Sequence, residues 1–77
     1  MASEEEIKTM IDQCLWMESD ALQQEAIAYL TVNKDVAKRW IYQKFGDLDM
    51  ASLSGDDVAC SHASCLEGLI RVLYPPN

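Results

Sequence analysis

With 77 residues, 49% of them hydrophobic, and a formal charge of −7, the chain has room for one domain spanning 1–77 and enough apolar matter to give it a core. The composition excludes a disordered tail, which would be poorer in hydrophobics, and no apolar run approaches the roughly 20 residues that a bilayer requires. So short a chain leaves little core from which to carve a pocket, and the expectation is a protein with no catalytic centre and no cofactor.

The charge is unevenly spread. Residues 1–25 carry net −6, residues 26–45 net +3 and residues 46–77 net −4. The one basic island lies in the middle third, between flanks that oppose the approach of a phosphate backbone, so nucleic acid is a disfavoured partner. The opening residues, Met1 to Glu6, are acidic and polar where a secretory signal is basic and then apolar. Three cysteines, Cys14, Cys60 and Cys65, are an odd number, and Cys14 and Cys65 fall on expected apolar faces. Reduced, buried thiols in an intracellular protein, nuclear or cytoplasmic, fit this better than disulfides.

The first element is a helix. Ser3 and Glu6 form a capping box, Glu4 to Glu6 complement the positive end of the helix dipole, and Ile7, Met10, Ile11, Cys14 and Leu15 form one apolar stripe. Trp16 points away from that stripe. It either folds back over the turn that follows or stands exposed as an aromatic anchor with acidic neighbours Glu18 and Asp20.

Ser19 and Asp20 restart the chain, with Gln23 placed for a second capping box. Leu22, Ala26, Tyr29 and Leu30 then predict a short amphipathic helix, interrupted by Thr31-Val32-Asn33. With Asn33 as N-cap, a third helix runs from about Lys34 to Phe45 and ends at Gly46 as its C′ residue, burying Val36, Ala37, Trp40, Ile41 and Phe45. Two helices about three residues apart, the second basic and aromatic, have the spacing of a helix-turn-helix.

Asp47 to Gly55 reads as a turn-rich connection, with Met50 and Leu53 as core contacts. Val58, His62, Cys65, Leu66, Leu69, Ile70 and Leu73 then recur at helical spacing, capped by Ser54 or Asp56 and stopped by Pro75-Pro76. The expected architecture is therefore mostly α, a three-helix helix-turn-helix core plus a C-terminal fourth helix. The alternative is a winged helix that breaks at Gly68 and uses residues 69–74 as a β-wing strand.

Of the chemistry-bearing clusters, Cys60 to Cys65 has the residue types of a metal site without its geometry. On one helix Cys60 and His62 point about 200° apart, and no set of four ligands is evident. His62 and Cys65 share a face, but nothing supplies an orienting acid or an oxyanion loop. The three glycines are isolated, so there is no phosphate-binding loop.

The third helix carries more. If its apolar side faces inward, Lys38, Arg39 and Tyr42 face outward, and a Tyr flanked by two cations offers rigid contact area with directional donors. An ordinary solvated face has the same composition, and a DNA-binding regulator would place this helix, 34–45, in a major groove. The reading adopted is a protein–protein interaction module whose partner-binding residues are Trp16, Lys38, Arg39 and Tyr42. Self-association through the Cys14 face stays open.

At the helix-turn-helix the residues themselves resemble a family. Leu30 and Val32, Ala37-Lys38, Ile41-Tyr42 and the apolar Phe45 are similar to the N-terminal winged-helix domain of the third, accessory subunit of DNA polymerase delta, and Ile11-Asp12-Gln13 is similar to its first helix. The resemblance covers residues 7–45. It implies an accessory subunit in DNA replication that docks on the polymerase's second, structural subunit without catalysis of its own, and it implies a β-wing after the third helix.

Overall fold

The computed structural model describes residues 3–16 and 19–76. These hold four α-helices and no strand: α1 (Glu4–Trp16), α2 (Asp20–Val32), α3 (Lys34–Leu53) and α4 (Asp57–Leu73). The protein is thus mostly α, and residues 69–73, where the winged-helix alternative puts a strand, are the last turns of α4. Backbone contacts divide the chain into two compact units, Met1–Trp40 and Ile41–Asn77, with the division falling inside α3.

In the first unit α1 packs against α2. Its buried side chains are Ile7, Ile11, Cys14 and Leu15 from α1, Ala26 and Leu30 from α2, and Ala37 from the start of α3. The α1 stripe therefore lies where its periodicity places it, with Met10 at the half-buried edge. Ser3 caps the helix, its Oγ accepting the Glu6 amide at 3.2 Å. The Glu6 carboxylate is used differently from the expected capping box: its Oε2 accepts the Tyr29 hydroxyl at 2.8 Å, joining the first turn of α1 to the last of α2. Nearer the interhelical turn, the Gln13 amide donates to the Leu22 carbonyl at 2.9 Å.

The N-cap of α2 is Ser19, whose Oγ accepts the Leu22 amide at 3.2 Å. The residue three positions on is then Leu22, so Gln23 is one place out of register for a capping box. Helix α2 also runs through Thr31 and Val32, leaving Asn33 as the whole connection to α3. β-Branched residues cost a helix only a few tenths of a kcal/mol each, too little to stop one. The Asn33 carbonyl accepts the Ala37 amide, as an N-cap residue's does, but its side chain reaches backward. There it donates to the Tyr29 carbonyl at 2.9 Å, and so closes α2 instead of capping α3.

Gly46 does not end α3. The helix continues for seven residues beyond it, because Leu48 and Ala51 keep the inward period of Ala37 and Ile41 while Gly46 lies on the exposed side. The expected connection at Asp47 to Leu53 is helical, and its two expected core residues are exposed, Met50 at 68% and Leu53 at 79%. Val36, assigned to the buried face, is exposed as well.

The stop comes at Gly55, the described glycine with positive φ, +96°. The Gly55 amide donates to the Ser52 carbonyl at 3.0 Å and the Asp56 amide to the Ala51 carbonyl at 3.2 Å. This is the double closure of a Schellman motif, which satisfies carbonyls that a helix end otherwise leaves open. Asp56 at once begins α4, its Oδ1 accepting the Ala59 amide at 3.1 Å.

The second unit buries Ile41 from α3 and Ala59, Leu66, Leu69 and Leu73 from α4. Compared with the expected stripe, the buried face of α4 is rotated toward its alanines. Ala59 is buried and Ala63 half-buried, whereas Val58 and Cys65 are exposed and His62 is half-buried. The expectation of a buried thiol holds at Cys14 and fails at Cys65. Tyr74, the C-cap of α4, lies with its ring centroid 6.0 Å from that of Tyr42 on α3.

The two glycines give predictions of opposite sign. A Cβ at either would meet nothing within 4 Å, so backbone conformation alone decides. Gly55→Ala is expected to lower stability by about 1 kcal/mol, because an L-residue resists positive φ. Gly46→Ala is expected to raise it by about 0.5–1 kcal/mol, as for an exposed position inside a helix. Urea unfolding of the two variants against the parent protein measures both; destabilisation by Gly46→Ala would mean that α3 stops there.

Candidate partner-binding surface

The four residues singled out from the sequence are divided between the units. Trp16, Lys38 and Arg39 belong to the first and Tyr42 to the second. Trp16 closes α1 and is 63% exposed, so of its two expected placements it takes the outward one. Lys38 and Arg39 are exposed on the second turn of α3, and Tyr42 is 44% exposed while keeping its ring against Tyr74.

Sequence reasoning missed what surrounds Trp40. Assigned to the buried face, it is half-buried, and two cations lie over its ring: the Lys8 ammonium 4.8 Å and the Arg39 guanidinium 4.9 Å from the centroid. Such contacts contribute about 0.5–1 kcal/mol at exposed sites and more where water is excluded. Lys8 also pairs with Glu4 at 2.9 Å, one turn earlier on α1. That hydrogen-bonded ion pair keeps the Lys8 ammonium above its usual pKa range. The first unit thus presents an ordered row, Glu4, Lys8, Trp40, Arg39, in which the guanidinium is braced by an aromatic plane.

The signal was present in part. At about 100° per residue Trp40 lies at the edge of the Ala37–Ile41 stripe, on the side toward Arg39. The approach of Lys8 is a tertiary contact that no spacing within α3 encodes. In the same unit, burial first and then the bond to the Glu6 carboxylate raise the Tyr29 phenol above its ordinary range.

Among the described residues no group of three or more His, Cys, Asp or Glu side chains gathers as a metal site, and no helix is long and apolar enough to cross a membrane. In comparisons with known proteins, the chain matches no family model, no curated protein and no solved structure.

The Tyr29 phenol, partly buried and bonded to the Glu6 carboxylate, predicts a pH dependence. Its pKa is raised on folding, so the folded state holds the phenolic proton more tightly than the unfolded chain does. The resulting stabilisation is complete below the unfolded value of about pH 10 and is lost as pH rises through the folded value. Thermal unfolding of the parent protein is expected to fall in midpoint as pH rises above about 10. Tyr29→Phe should flatten that fall; an unchanged slope would assign it to other groups.

Proposed function

We propose that this protein is a non-enzymatic protein–protein interaction module, an adaptor or accessory subunit of a larger assembly. The observation that carries the reading is the exposure of Trp16 at the end of α1, a large aromatic that folding leaves in water. Tryptophan, tyrosine and arginine dominate the energetics of protein interfaces, and each is present here. Arg39 braced on Trp40 adds a donor whose rotamers are restricted before a partner arrives, which lowers the entropy that binding must overcome.

The helix-turn-helix reading of α2 and α3 belongs to the same proposal, with a single residue as the turn. From the polymerase resemblance the proposal takes the role of a docking subunit and makes the structural subunit of DNA polymerase delta the first partner to assay. The β-wing implied with it has no counterpart among the described residues, where α4 occupies 69–73. The DNA-binding reading draws only on the exposed Lys34, Lys38 and Arg39, and the net charge of −7 weighs against it.

Affinity capture with mass spectrometry, run on the parent chain and on Trp16→Ala/Tyr42→Ala, tests the proposal. Both side chains are exposed, and circular dichroism checks the fold. One protein is expected in stoichiometric amount with the parent chain and reduced at least roughly tenfold with the variant, the loss typical of an interface anchor. Recovery of the same partner by both forms would place the interface elsewhere. Retardation of duplex DNA, lost in Lys38→Glu and at raised salt, would replace the proposal with the DNA-binding one.

A further inference from the structure

Within the second unit α3 carries apolar side chains on two sides, one turned inward and one outward. Ile41, Phe45 and Leu48 follow one side and are buried or half-buried. Tyr42, Gly46, Met50 and Leu53 recur at i, i+4, i+8 and i+11 along the other, and all are exposed: Tyr42 at 44%, Met50 at 68% and Leu53 at 79%. Single exposed hydrophobics are ordinary on any protein surface. A row aligned over three turns is the pattern by which one amphipathic helix receives another. Gly46 interrupts the row with open space, and a position without Cβ lets a neighbouring backbone come close.

Charge specifies what fits there. On the helical wheel Asp47 and Asp49 lie on either side of the row, Asp57 follows directly after the turn, and between Lys44 and Arg71 the sequence has no Lys or Arg. We propose that the Tyr42–Gly46–Met50–Leu53 row of α3 docks an amphipathic helix of a partner protein whose apolar stripe is flanked by Lys and Arg. The row seats the stripe, and Asp47 and Asp49 pair with the basic flanks. A second copy fits less well, because pairing this face with itself brings aspartates against aspartates. At Tyr42 the inference rests on the adaptor reading; Met50, Leu53 and the aspartates stand apart from it.

The test uses calorimetric titration of the full chain with three helical peptides: an amphipathic leucine/lysine peptide, an alanine/lysine peptide of equal charge and a leucine/glutamate peptide. The leucine/lysine peptide is expected to bind, and the other two to bind at least roughly tenfold more weakly. Met50→Gln/Leu53→Gln keeps two good helix formers at exposed positions and should reduce binding roughly tenfold. Asp47→Asn/Asp49→Asn should weaken binding and reduce its salt dependence. Val72→Gln, at an exposed apolar site on α4, should leave binding unchanged. Equal binding of all three peptides, or indifference to Met50→Gln/Leu53→Gln, overturns the proposal. A dimer by analytical ultracentrifugation that Met50→Gln/Leu53→Gln abolishes would also overturn it, by making a second copy the occupant. Loss of partner capture in Trp16→Ala/Tyr42→Ala with Met50→Gln/Leu53→Gln intact would sink this inference alone and leave the adaptor reading standing.

Discussion

Where α3 stops governs most of what the second unit exposes. A helix ends when its last carbonyls find other donors, and here the donors are the amides of Gly55 and Asp56. Because closure comes at Gly55 and not at Gly46, two further turns are wound. Those turns carry Leu48 inward and Met50 and Leu53 outward. Had the chain turned at Gly46, the same residues would have been free to fold into a core. The backbone of one residue at φ +96° therefore sets which apolar side chains are left for something else to cover.

In the first unit polar groups do comparable work. The α1–α2 pair is tied near its turn by Gln13 to the Leu22 carbonyl and at its far end by Tyr29 to Glu6. Both ties fix the register of two helices whose buried residues, mostly aliphatic and small, would tolerate sliding. Lys8 and Arg39 extend the same logic to Trp40, since a ring with cations over it has fewer ways to lie. The polar contacts thus restrict how these elements can pack, and Trp40 stays half-open to solvent.

What the sequence made legible follows from which signals are local. Ser3, the α1 stripe, Asp56 as a cap and the length of α4 are settled within a few residues of chain, and they stand as read. Three signals misled because they are weak priors: Gly46 as a stop, Thr31-Val32 as an interruption and Asn33 as a forward cap. Each costs or contributes around 1 kcal/mol or less and yields to helical propagation on either side. The inward period continuing through Phe45, Leu48 and Ala51 was the stronger evidence at Gly46. On α4 alanine was left out of the stripe, so the buried face was drawn too far toward Val58 and Cys65. Among the site residues, exposure of Lys38, Arg39 and Tyr42 was readable from periodicity, while the Lys8–Trp40 contact was not, because it joins residues far apart in sequence.

A chain of this size has little surplus stability with which to leave apolar side chains in water. Trp16, Met50 and Leu53 are nevertheless exposed, at 63%, 68% and 79%. None contributes its full transfer free energy to the fold, and each adds to the risk of nonspecific association. The net charge of −7 counters that risk by keeping copies apart. On the docking proposal, acidic groups beside exposed apolar ones serve two ends at once, repelling the chain from itself and leaving the face open to a partner of opposite charge. In that proposal the aspartates around Met50 and Leu53 contribute as much to recognition as the hydrophobic residues they flank.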